Sequence, residues 1–362
     1  MVRLVTPEHV VREADRQAIW HRIVPPTPAE IGGNATAAFK ASGLDYDLRL
    51  DPMATPEGAT WDVERRMVVR PKTAEDPTDR ILGVVSDRYE IVQNRQIAAA
   101  LDPILARNGW TIDTAGDIGH GARMFVSINT GEQRIAGEDY KGYLVIGDTR
   151  NGGSGGQGRS LSIMSVPFRM QCANALNIAF RKAQQVISVR HARNIEYQFA
   201  AALLDAERIR AEQAAVTEAL EILAQTRITE VQAQHIIDAA YPLPPTRPGH
   251  QHVAIDPNVP LGQQEAARRL RERFGVAKVA SNVDFDALEA RARSLRLTGA
   301  ELYDRFNQAH GRLAGTAYGA FQTVVELTDH RSKSERNARS AFLGSGVEEK
   351  SRAFRAALAL TK

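Results

Sequence analysis

Acidic residues are missing from the whole stretch between Asp148 and Glu196, where the chain carries Arg150, Arg159, Arg169, Arg181, Lys182, Arg190 and Arg193, with His191 beside them. The full chain is only +3, while this segment alone is +7, so all other residues sum to −4. A positive field concentrated in this way favours a polyanionic partner, and nucleic acid is the commonest. The competing reading is that these arginines cap helices and pair with carboxylates from elsewhere in the chain.

Other absences narrow the field. Cys172 is the only cysteine, so neither an intramolecular disulfide nor a thiolate metal cluster can form, which fits a reducing cytoplasm. No apolar run is long enough for a bilayer, and Glu8, Arg12, Glu13, Asp15 and Arg16 interrupt the first thirty residues. Neither a membrane span nor a secretory signal is expected. There is no His-Glu-x-x-His, and the pairs Asp45/Asp47 and Asp284/Asp286 sit in unrelated regions, where they read as surface carboxylates. His120, His191 and the Asp329-His330 pair are scattered, so no metal or other cofactor is expected.

What is present is ordinary for a folded protein. With 362 residues, 43% hydrophobic and 25% charged, the chain can bury a core and is long enough for two domains, or one domain with a large appendage. The run Gly152-Gly153-Ser154-Gly155-Gly156-Gln157-Gly158 lacks the Gly-Lys-Ser/Thr ending of a phosphate-cradling loop and leads into a strand pattern. Its formal Gly-x-Ser-x-Gly match fails as a nucleophile elbow for the same reason. It reads as a hairpin tip, flanked by Arg150 and Arg159, that can close over a nucleic-acid backbone.

Along the chain, a short helix is expected from Pro7 to Trp20 and another from Asn34 to Ser42, capped by Asn34. From Met67 the period becomes that of strands: Val68-Val69, then a hairpin of Ile81–Val85 with Tyr89–Val92. Asn94 is expected to cap a helix whose Ile97, Leu101, Ile104 and Leu105 share one face. Strands then follow at Trp110–Thr114, Met124–Ile128, Tyr143–Ile146 and Leu161–Phe168. After Arg169 the spacing of Cys172, Leu176 and Phe180 predicts a helix with a packed core thiol, before a short strand at Val186–Val189. A long helix to Gln225 and a second one begun by a Thr229/Gln232 capping box complete a hairpin. Tyr140 is the aromatic near the basic stretch expected to be exposed.

Several motifs, in order, are similar to one family. They are Leu82-Gly83-Val84-Val85-Ser86-Asp87-Arg88-Tyr89-Glu90-Ile91-Val92-Gln93-Asn94, Thr114-Ala115-Gly116, Gly121-Ala122-Arg123, Val166 to Asn177, and Arg190-His191-Ala192-Arg193-Asn194, with Trp20-His21 before them and Thr328-Asp329-His330 after. The chain resembles the phage/plasmid-like proteins built on domain of unknown function 932. Two departures stand out: Asp148-Thr149-Arg150-Asn151-Gly152-Gly153-Ser154 replaces a His-Asp-Gly-Ser-like turn, and Asn174-Ala175-Leu176 replaces Asn-Thr-Leu. The resemblance implies relatives in phages, prophages and plasmids, with no activity attached.

The expected fold is α+β: a mixed, largely antiparallel sheet covered by helices, followed by a helical hairpin and a mainly helical C-terminal part. The expected boundaries are 1–195 for the α+β core, 196–241 for the hairpin, 242–260 for a Pro-rich linker, and 261–362 for the helical region. The leading expectation is a cytoplasmic protein of phage or plasmid origin, homo-oligomeric, that holds single-stranded DNA for annealing or protection without catalysis. Arg150, Arg159, Arg169, Arg181, Lys182, Arg190, His191 and Arg193 would contact phosphates. One alternative is a metal-dependent enzyme acting on nucleotides or nucleic acid through Asp148 and His191. Another is an interaction module, docking through the 196–241 helices, that blocks a host defence protein.

Overall fold

The computed structural model describes residues 18–54, 60–74, 76–150, 160–170, 174–175, 186–190, 197–198, 201, 206–244 and 285–361. The fold is α+β with antiparallel sheets. The chain divides into two compact units, Gln17–Glu218 and Ala219–Lys362 with Met1–Arg16.

The first unit holds both sheets. Strands β1 (Arg49–Ala54), β2 (Thr60–Arg70) and β3 (Arg80–Ser86) form an antiparallel three-stranded sheet in that order. Strands β4 (Thr111–Ile118), β5 (Arg123–Ile135), β6 (Glu138–Thr149) and β7 (Ser160–Arg169) form an antiparallel meander. The outer edge of β7 pairs with β8 (Asn174–Ala175) at one end and β9 (Val186–Arg190) at the other. Alternation explains the meander: Met124, Val126 and Ile128 point to one face, with Leu144, Ile146, Leu161 and Ile163 beside them. That face shares a core with helices α1 (Ala35–Ala41) and α2 (Asn94–Asn108), the latter through Ile97, Leu101, Ile104 and Leu105. Each fully buried Ile or Leu contributes roughly 1.5–3 kcal/mol. The in-between residues Phe125, Ser127, Tyr143 and Val145 are buried too, and Trp20 packs edge-on against Tyr143 at 4.9 Å.

Three local readings differ from the sequence pattern. Tyr89–Val92 is not the partner of β3: the chain turns after Ser86 and runs without a ladder into α2, and β3 pairs with β2. The apolar character of Tyr89 and Val92 serves the core, where both are buried. Gln93, not Asn94, is the N-cap of α2, and the Gln96 side chain accepts from the Gln93 amide at 2.7 Å. Asn174 and Ala175 are paired in β8, so the helix expected across them is absent there. The remainder of the Cys172–Phe180 stripe, the glycine-rich tip, the Pro7–Gln17 helix and most of 242–260 lie outside the described residues. Asn34 does cap α1, accepting from the Ala37 amide at 2.7 Å.

The division between units falls within helix α3 (Ala206–Gln225) instead of at 196. In the second unit, α4 (Glu230–Ala240) begins with the expected Thr229/Gln232 capping box. It packs with α5 (Phe285–Ala309), α6 (Ala317–His330) and α8 (Ser345–Ala359), while α7 (Glu335–Leu343) packs on α6 and α8. Helix α4 therefore belongs with the C-terminal helices and not to a separate hairpin. Every named side chain of α6 from Ala317 to Val325 is buried, which makes it the central helix of this unit.

Candidate functional site

Two of the seven cations in the acid-free segment turn inward, which departs from the expectation that they contact phosphates. Arg150 follows β6 and is fully buried. Its Nε donates to Asp148 Oδ2 at 2.7 Å, and its Nη groups donate to Asn94 Oδ1 and to the Tyr46 hydroxyl. Tyr46 donates in turn to Asp117 Oδ2 at 3.1 Å, and Asp117 Oδ1 accepts from the Gly121 amide at 2.9 Å. Burial alone would lower the Arg150 pKa, but Asp148 beside it reverses the sign and holds the guanidinium charged. Burial pushes the Tyr46 hydroxyl up to about 12. Tyr89 is also pushed up, by burial and then by Asp148. Tyr89 and Asn94 come from the longest of the family-like motifs, Gly121 from the Gly121-Ala122-Arg123 motif, and Asp148 and Arg150 from the turn that departs from the family pattern.

Arg169, at the end of β7, is 1% exposed and donates through Nε to Glu138 Oε2 at 2.6 Å. A phosphate contact at Arg150 or Arg169 would first have to break a buried ion pair. Asp148 is equally committed, so it is not presented as the metal ligand or base that a nucleic-acid enzyme would need. Tyr140, expected at the surface, is fully buried. Arg190 ends β9, with its backbone opposite Ser160. Arg159, Arg181, Lys182, His191 and Arg193 lie outside the described residues.

A second polar centre sits on the opposite face of the six-stranded sheet. The register between β4 and β5 slips between Ile112 and Thr114, and the extra residue is Asp113. Its Oδ2 accepts from Trp20 Nε1 at 2.7 Å, contacts His21 Nε2 at 2.9 Å, and accepts from Thr114 Oγ1 at 3.1 Å and Ser127 Oγ at 3.2 Å. The Tyr143 hydroxyl donates to Oδ1 at 3.4 Å. Burial by itself would raise the Asp113 pKa, yet the bond and charge of His21, then the bonds from Trp20 and Thr114, bring it below the ordinary value. So many donors keep this carboxylate ionised and fasten the Ile19–Arg22 turn to the sheet. Sequence reasoning missed Asp113. The available signal was an acid placed directly after Ile112 in a strand pattern, downstream of the Trp20-His21 pair.

The helical unit buries a third network around Thr328, Asp329 and His330, all fully buried. Lys350 Nζ donates to Asp329 Oδ1 at 2.8 Å, with both side chains sealed from solvent. Burial lowers the Lys350 pKa, and Asp329 works against that shift. Arg331 joins Glu349 Oε2 at 3.1 Å and Asn337 Oδ1 at 2.9 Å, while Tyr241 and Thr328 share a hydrogen bond of 3.1 Å. Asp329 and His330 are thus core residues here.

Among the described residues no group of three or more His, Cys, Asp or Glu side chains is arranged to hold a metal ion, and no helix is long and apolar enough to cross a membrane. No curated protein and no solved structure matches the chain. A family model does match, and it covers residues 81–356, taking in the Arg150–Asp148 pair with Asn94, Asp113 and the Asp329–Lys350 pair, while Tyr46 lies before it. The chain therefore belongs to the family described as Domain of unknown function (DUF932).

Proposed function

We propose that this chain is a nucleic-acid-binding protein of phage or plasmid origin that holds single-stranded DNA for annealing or protection through phosphate contacts, with no catalytic step. The observation that carries this reading is the distribution of charge between Asp148 and Glu196. Arg150 and Arg169 take carboxylates from outside the segment, Asp148 and Glu138, so the segment's own composition still leaves Arg159, Arg181, Lys182, Arg190 and Arg193, with His191, and no acid among them. Annealing requires the backbone to be neutralised while bases stay free to pair, and phosphate contacts without base readout do this. The surviving set is smaller than the sequence alone implies, so a correspondingly smaller salt dependence is expected. For single strands the slope of log affinity against log salt is roughly −0.7 per phosphate neutralised.

Fluorescence-anisotropy titration of single- and double-stranded oligonucleotides at two salt concentrations tests this. Tighter, salt-sensitive binding to single strands is expected. Joint replacement of Arg190 and Arg193 by Ala should flatten the slope by roughly 1.4, whereas no binding at low salt removes the reading.

A further inference from the structure

Arg123, from the Gly121-Ala122-Arg123 motif, lies outside the acid-free segment in sequence, but the sheet register sets it beside that segment. It begins β5, opposite Ile118 of β4 on one side and Thr149 of β6 on the other. Asp148, one residue before Thr149, is opposite Leu161 of β7, and Ser160, one residue before Leu161, is opposite Arg190 of β9. The backbones of Arg123, Thr149, Ser160 and Arg190 therefore form one row across β5, β6, β7 and β9, at a single end of the sheet. The Arg150 amide donates to the Ala122 carbonyl at 2.9 Å, so the acid-free segment leaves the sheet against the Gly121–Arg123 turn. Arg159 precedes the row in sequence and His191 follows it.

Arg123 is exposed, and among the described residues its side chain makes no ion pair or hydrogen bond. Asp148 does not offset it, because that carboxylate is fully buried against Arg150. At the far end of the same strand, Arg134 stands opposite Asp139 and donates to the Gly137 carbonyl. An arginine on a sheet strand with no carboxylate partner keeps its guanidinium fork open to the oxygens of a phosphate. Neighbouring strands lie about 4.8 Å apart, so three intervals separate the Arg123 and Arg190 backbones by roughly 14 Å. That span suits two phosphates of one strand. We propose that Arg123 is a further phosphate contact and that a single strand of nucleic acid crosses this end of the sheet, with one phosphate at Arg123 and another at Arg190. The inference rests on the strand-holding reading and adds to it a residue outside the acid-free segment and a path for the bound backbone.

Anisotropy titration of a single-stranded oligonucleotide with the full chain, repeated across salt concentrations, tests the path. Arg123→Ala should weaken binding severalfold and reduce the slope of log affinity against log salt by about 0.7, the share of one phosphate. Its urea midpoint should not move, because the side chain is exposed. Arg134→Ala removes the same charge from the other end of β5 and should leave the slope as it is, while Arg123→Lys should keep most of it. The double variant Arg123→Ala/Arg190→Ala should lose about 1.4, the sum of the single losses. A double variant no weaker than either single one would put both residues on one phosphate and overturn the crossing path. If the parent binds with a steep salt dependence and Arg123→Ala keeps that slope, or Arg134→Ala lowers it equally, this inference fails while the strand-holding reading stands. No binding by the parent at low salt removes both.

Discussion

At Arg150 the same positive charge that draws attention in the sequence is neutralised by a fully buried ion pair in the fold. In the buried Arg150–Asp148 pair the guanidinium also donates to Asn94 and Tyr46. Arg150→Met should destabilise the sheet unit by about 3–5 kcal/mol, because Asp148 is left as an unpaired buried charge. Adding Asp148→Asn to that variant should recover part of the loss, as urea unfolding of the three proteins will tell; an additive double variant would mean the two side chains are not coupled. The carboxylates also set an acid limit. Asp76 is held at about 2 against an ordinary 3.8, first by its bond from Arg80, and Asp113 is held low as well. A carboxylate with a depressed folded value adds stability that is complete above its unfolded value and is lost as pH falls through its folded one. Stability should therefore fall on acidification below about pH 4, with the Asp76 share gone below its folded value of about 2. Asp76→Asn should make the urea midpoint less steeply dependent on pH across that interval, and an unchanged dependence would show that Asp76 is not linked to folding.

Elements were legible wherever periodicity and burial agreed. Strands β3, β5, β6, β7 and β9 follow the apolar runs, and α2 follows the Ile97–Leu105 face, which shares a core with Met124, Val126, Ile128, Leu144, Ile146, Leu161 and Ile163 of β5, β6 and β7. Failures cluster where an apolar residue serves the core from outside a ladder. Tyr89 and Val92 do this, and so the true partner of β3 was missed. Strand β1 was missed for the opposite reason: Arg49-Leu50-Asp51-Pro52-Met53-Ala54 has no continuous apolar run before its proline, which is tolerated at the edge of a sheet. Asp113 was missed because it is the extra residue of a bulge, which no periodicity announces. Close helix contacts are equally silent in sequence. Gly346 is the second residue of α8, and a methyl there would lie 2.4 Å from the Ala341 backbone and 2.8 Å from Thr328 Cγ2. Gly346→Ala should cost about 1–3 kcal/mol by forcing α7, α8 and α6 apart. A variant as stable as the parent in chemical denaturation would show that the corner yields at no cost.

For the whole molecule, the sequence located a sheet-bearing first part and a helical second part but set the boundaries by composition, at the end of the basic stretch and at the prolines. Packing sets them by shared core: α4 lies before the prolines yet belongs with α5, α6 and α8. Two cores imply two cooperative transitions, and the chain supplies a way to watch them separately. All three tryptophans, Trp20, Trp61 and Trp110, fall in Gln17–Glu218, so their fluorescence reports the sheet unit, while far-ultraviolet circular dichroism is dominated by helices, and among the described residues most helices lie in the other unit. Lys350→Met removes the partner of buried Asp329 and should cost the helical unit about 3–5 kcal/mol. The dichroism midpoint should drop in this variant while the fluorescence midpoint stays in place, and Arg150→Met should do the reverse. If either substitution moves both midpoints together, the two cores unfold as one cooperative body, and the boundary within α3 has no thermodynamic meaning.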